Sequence, residues 1–182
     1  MFIAQKKRKE SLVAYILYMW QIEDIIRAFD CDKAKIQQHI ISKYSVSQQE
    51  KTDLTTWYNQ LVDMMLSEGL KESGHLQINK INVIELDRLH RQLINDEKEY
   101  IYTSLHFQVL PAIVQLKGKM PHSENMSEIE ICLNAIYGYM TLKMKGENIS
   151  DETNKSIQQI SNFLSMLAHK YNETKEKDNY EQ

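Results

Sequence analysis

Along most of the chain, apolar residues recur at three- and four-residue spacing, the period of an α-helix with one buried face. The first such run covers about residues 10–29. In its second half Ile22, Ile25, Ile26 and Phe29 share one side, at about 100° per residue. Gln21, Glu23, Asp24, Arg27 and Asp30 share the other. The first half is apolar all round. Val13, Ile16, Leu17 and Trp20 occupy the side that turns polar lower down, while Tyr15, Tyr18 and Met19 cover the opposite side. A helix with no polar side must be covered on every side. This segment is therefore expected either at the centre of a bundle or half inside a subunit contact.

Further helices are bounded by recognisable start and stop residues. The run Asp30-Cys31-Asp32 breaks the first helix and offers N-cap carboxylates to a short second one carrying Ile36, Ile40, Ile41 and Tyr44. Ser47 and Glu50 form a capping box ahead of a third helix with the stripe Leu54, Trp57, Tyr58, Leu61, Met64 and Met65, stopped by Gly69. After a loop at 69–79, "GLKESGHLQIN", a fourth helix carries Leu86, Leu89, His90 and Leu93. "NDEK" at 95–98 interrupts it, and the fifth then runs to about Lys117. Pro111 lies inside that helix and is expected to kink it, because its ring removes the hydrogen bond to the Phe107 carbonyl. "KGKMPHSEN", which includes His122, reads as a loop. Ser127 and Glu130 open a sixth helix, with Ile129, Leu133, Ile136, Tyr137, Met140 and Met144 on its main face, ending at Gly146. Ile131, Ala135, Gly138 and Leu142 make a second apolar row on it, suited either to core packing or to a small-residue seam between subunits. Ser150 caps a seventh helix carrying Ile157, Ile160, Leu164, Leu167 and Tyr171.

Composition sharpens this picture. Only 5 Gly and 2 Pro occur in 182 residues, far below the share that the turns of a β protein require. The expected fold is an all-α, single-domain bundle of six or seven helices over residues 1–171, with the first, sixth and seventh forming the inner layer. Residues 172–182 are too polar to pack and are expected to fray. The apolar run after "KKRKE" is nine residues long, well short of the ~20 that span a bilayer, and no cleavage signal follows it. Neither export nor membrane insertion is supported. Cys31 and Cys132 match no metal spacing and read as reduced thiols of a cytoplasmic protein.

Few residues offer chemistry by spacing alone. The formal net charge of −3 gives no case for nucleic-acid binding by the whole molecule, and Lys6–Lys9 reads as a solvated arm. The six histidines form no i, i+4 pair and do not supply the two Glu-x-x-His pairs of a di-metal carboxylate bundle, and phosphate loops, nucleophile elbows and Cys-x-x-Cys are absent. No catalytic residue, metal ligand or cofactor is therefore assigned. Asp87 and His90 can face one ligand, but His90 on the Leu86–Leu93 face also reads as a core histidine with a hydrogen-bond partner. Glu23 and Arg27 are placed either as a solvated i, i+4 pair or as the polar floor of a pocket roofed by Trp20. His75, Gln77 and Asn79 could line such a site, or equally satisfy the ends of the flanking helices. The candidate ligand-binding residues are accordingly Trp20, Glu23, Arg27, His75 and His90.

Five blocks spread over about residues 1–171 resemble an uncharacterised bacterial family, one of the domains of unknown function. They are "YILYMWQIEDIIRAF", "GHLQIN" leading into "ELDRLHRQL", "VLPAIVQL", "EIEICLNAIYG" and "SDETNKSIQQISNFLSML". The resemblance implies an all-helical, intracellular protein and assigns no activity and no site residue. The functional expectation is a non-catalytic cytosolic protein acting through protein contacts, principally as a homo-oligomer. A small-molecule binder or enzyme built around Trp20, Glu23 and Arg27 is the alternative.

Overall fold

The computed structural model describes residues 2–121 and 123–180, the side chains of 177–180 excepted. His122 and the last two residues of the tail lie outside the described residues. Every regular element among them is helical. The eight α-helices are α1 Phe2–Glu10, α2 Leu12–Ala28, α3 Lys33–His39, α4 Gln48–Ser67, α5 Gln77–Ile94, α6 Tyr100–Lys117, α7 Glu128–Met144 and α8 Asp151–Tyr180. Single 3-10 turns lie at Ile41–Lys43 and Ser123–Asn125.

Eight helices replace the six or seven expected, because the basic run at the N-terminus is itself helical. "KKRK" has no apolar stripe to announce a helix, but α1 sets its cations against aromatic faces. Lys7 Nζ sits 5.7 Å from the centre of the Tyr18 ring and the Arg8 guanidinium 5.2 Å from that of Tyr15. Such cation–π contacts hold about 0.5–1 kcal/mol each at exposed sites. They give two of the four basic residues a place on the fold rather than in a solvated arm.

The helix ends follow the local chemistry. Asp32 accepts from Ala34 N at 2.8 Å and Lys35 N at 3.1 Å, capping α3. Ser47 and Glu50 form a reciprocal capping box on α4, and Ser127 caps α7. Gly69 and Gly146 adopt φ +70° and +72°. The backbone there turns back, so that Leu70 N reaches Met65 O at 2.8 Å and Glu147 N reaches Leu142 O at 3.1 Å. These are Schellman closures, which need the left-handed backbone that glycine adopts without penalty.

The chain divides into two compact units. The first comprises Met1–Lys9 and Ala14–Ile81. Its α3 packs on α4, and its core includes Ile16, Met19, Trp20, Ile26, Tyr58 and Met65. The second comprises Glu10–Val13 and Asn82–Gln182. Here α6, α7 and α8 pack on one another around Tyr102, Ile113, Leu133, Phe163 and Leu167. Helix α6, left out of the expected inner layer, thus contributes to a core.

The first half of α2 is largely covered within one chain, with Ala14 and Tyr18 half-buried. Val13, Tyr15, Ile16, Leu17, Met19 and Trp20 are all buried, so this segment needs no subunit contact to remove it from water. Along α7 the second row is buried through Ala135, whereas Gly138 has open space where a side chain would project and Leu142 is 44% exposed. The close backbone approach anticipated at Gly138 is not made.

Helix α6 is continuous from Tyr100 to Lys117, so the kink expected at Pro111 is not borne out. Pro111 is exposed, and the surface position lets the helix continue past one missing hydrogen bond. Pro111→Ala restores a donor and relieves the ring clash. It should raise stability by about 1–3 kcal/mol, read as a higher urea midpoint at unchanged slope. An unchanged or lower midpoint would contradict this.

Candidate functional site

Two polar clusters lie at buried positions, one in each unit. The first begins on α2, where the helix leaves its all-apolar stretch. Of the two placements expected for Glu23, a solvated pair with Arg27 or a polar floor beneath Trp20, the first is not found: Glu23 is fully buried. Its Oε1 accepts from Leu76 N at 3.1 Å and from Asn79 Nδ2 at 2.6 Å, and its Oε2 lies 2.6 Å from His75 Nδ1. A carboxylate can only accept in these contacts, so His75 carries its hydrogen on Nδ1. The His75 ring stacks on Trp20, with centroids 4.2 Å apart and planes 14° from parallel.

Arg27 does not pair with Glu23. Its Nε and Nη2 donate to Asp24 Oδ1 at 3.2 and 2.6 Å, and its Nη1 donates to Gly74 O at 2.9 Å. The i, i+4 pair is lost because Glu23 turns inward to the loop, while exposed Asp24 takes the guanidinium at i, i+3. Trp20, Glu23, Arg27 and His75 are therefore brought together. What occupies them is the protein's own loop. Leu76 N and Gln77 N are orphan donors at the start of α5; Glu23 takes the first and Glu68 Oε2 takes the second at 2.8 Å. Anionic acceptors at a helix N-terminus are favourable on both hydrogen-bonding and dipole grounds. The geometry assigns this cluster to fastening the 69–76 loop onto α2.

His90 belongs to the second cluster. It faces the core from α5, with 3% of its surface exposed, and Asp87 does not share a ligand with it but pairs with Arg91 at 2.8 Å. His106 faces the same space from α6, one turn after Tyr102, and is 9% exposed. Glu128, the first residue of α7, closes the group with a side chain 39% exposed. Its Oε2 lies 2.6 Å from His106 Nε2 and 3.5 Å from His90 Nε2. The other nitrogen of His90, Nδ1, lies 2.8 Å from the Tyr102 hydroxyl. Phe163 of α8 backs the cluster, its ring centroid 5.7 Å from that of His90 and 5.8 Å from that of His106.

The electrostatics of the second cluster are one-sided. The hydrogen bond with His90 leads in holding the Glu128 carboxyl down to about 2, against partial burial and with help from His106. The shorter contact is the one with His106, and both imidazoles act in the same direction. Burial pushes the Cys132 thiol, one turn along α7, up to about 12. It is a protonated, small apolar group here, not a thiolate ligand. Burial likewise pushes the Tyr102 phenol up, so it serves as a neutral hydrogen-bonding partner to His90.

Among the described residues, His90, His106 and Glu128 form a group of metal-ligand type, their donor atoms all within 4.8 Å of one another. Sequence spacing placed no metal ligand here. His106 and Glu128 were missed because they stand 16 and 38 residues from His90 (106 − 90 and 128 − 90) on separate helices. The available signal was the shared face of Tyr102, His106, Val109 and Ile113 along α6, which puts a histidine in register with core residues.

No helix among the described residues is long and apolar enough to cross a membrane. No curated protein and no solved structure matches the chain. One family model does, over residues 1–178, farther into the tail than the five resemblance blocks reach. The chain belongs to the family described as a domain of unknown function, DUF4924.

Proposed function

We propose that this protein is a non-catalytic, cytosolic helical protein that works by associating with a second copy of itself across one face of α6. The observation that carries this reading is the uncovered stripe of Tyr100, Phe107 and Val114, which are 72%, 65% and 64% exposed. They recur at seven-residue spacing on one side of the helix, with exposed Ser104 and Pro111 between them. From Tyr100 to Leu116 the helix contains no Asp, Glu, Lys or Arg. A soluble chain rarely leaves so long a charge-free row of large apolar residues in water. A face without charge offers nothing to select a different partner by electrostatic complementarity. It is self-complementary about a two-fold axis, the commonest symmetry of soluble oligomers. The two free, buried thiols, Cys31 and Cys132, support a reducing compartment.

Sedimentation velocity should show a dimer that Phe107→Glu and Val114→Glu, both at exposed positions, return to monomer without loss of helical signal. A wild type that is monomeric at about 100 μM, where even an association of about −5.5 kcal/mol would register, defeats the proposal. So does a dimer indifferent to both substitutions.

A further inference from the structure

We propose that His90, His106 and Glu128 bind a divalent transition-metal ion through His90 Nε2, His106 Nε2 and Glu128 Oε2. Two imidazoles and one carboxylate are the donor set that suits zinc, iron(II) or cobalt(II) rather than calcium or magnesium. Donors around such an ion stand about 3.0–3.4 Å apart. The two separations from Glu128 Oε2, 2.6 and 3.5 Å, bracket that range. The three donor atoms all lie within 4.8 Å of one another, so side-chain rotation alone would draw them onto one ion.

Three features distinguish this arrangement from a structural His–Glu pair. Both imidazoles converge on the same carboxylate oxygen, whereas one would satisfy it. The ligands come from α5, α6 and α7, so each is fixed by a different helix within one packed unit. His90 also has an orienting partner on its far nitrogen, the Tyr102 hydroxyl at 2.8 Å. A ligating histidine almost always has such a partner. When Nε2 gives its lone pair to an ion, the hydrogen moves to Nδ1 and the Tyr102 oxygen accepts it. The histidines are nearly closed off while the Glu128 side chain is 39% exposed. An ion would enter past the carboxylate, and its remaining positions would face that open side, where water binds. Binding here does not depend on association through α6.

The test is titration of the full chain, stripped with chelator, with cobalt(II) followed by visible absorption and with zinc(II) followed by calorimetry. One ion per chain is expected. Glu128→Gln and His106→Gln should each weaken binding more than about 100-fold, and Tyr102→Phe about tenfold as a positioning residue. His169→Gln, which alters an exposed histidine beside Glu173, should leave binding unchanged. Circular dichroism checks that each variant is folded; should His106→Gln unfold, the half-exposed Glu128→Gln decides alone. Absence of stoichiometric binding by the wild type overturns the site, as does full affinity in folded Glu128→Gln.

Discussion

Glu23→Ala is expected to lower unfolding free energy by about 3–5 kcal/mol, the range seen when one partner of a buried polar network is removed. The substitution strands three donors, His75 Nδ1, Leu76 N and Asn79 Nδ2, in a place where Glu23 is now fully buried. Each stranded donor costs about 1–3 kcal/mol, softened where the loop can open to water. Glu23→Gln separates the charge from the hydrogen bonds. Its amide oxygen can still accept from Leu76 and Asn79, and His75 can shift its hydrogen to Nε2 and accept at Nδ1. A loss of only about 1–2 kcal/mol is expected for it. Urea unfolding gives both values, and hydrogen exchange at the Leu76 amide reports the loop locally. Equal, small losses for both variants would mean that Glu23 does not hold the loop.

In the other unit, Phe163→Ala should cost about 3–5 kcal/mol, as large-to-small changes of buried aromatics do. Phe163 is fully buried and its ring meets Tyr102, His90 and His106, with centroids 5.3–5.8 Å away. Removing it opens a cavity beside the two imidazoles. Phe163→Leu fills most of that space and should cost under about 1.5 kcal/mol. Thermal and urea midpoints check the pair. A loss below about 1 kcal/mol for the alanine variant would show that the site collapses around the gap and that Phe163 does not position the histidines.

Much of the helical layout was legible from local chemistry. Ser47 with Glu50, Asp32, Ser127, Gly69 and Gly146 each satisfy backbone groups within a few residues of themselves, so their roles do not wait on the rest of the fold. The break at 95–98 was legible for the same reason. Helix α1 was not, because its cations are held by Tyr15 and Tyr18, residues of another helix. Nor was the unbroken course of α6 through Pro111. A missing hydrogen bond predicts a disturbance, but surrounding packing decides whether the helix yields to it.

The candidate sites divide along the same line. Trp20, Glu23, Arg27 and His75 were legible as a group, since an acidic residue at the edge of an all-apolar stretch and a polar loop both invite a partner. That the partner is the loop itself, and that Asp24 rather than Glu23 takes Arg27, followed only from the packed chain.

By itself the sequence determined an all-α protein, where most of its helices begin and end, and which faces seek cover. These depend on hydrogen bonds and apolar periodicity within one or two turns. Only tertiary structure decided that Glu23 is a buried fastener and that His90, His106 and Glu128 meet. Side chains on separate helices acquire a distance only once the helices pack, and no spacing along the chain encodes it.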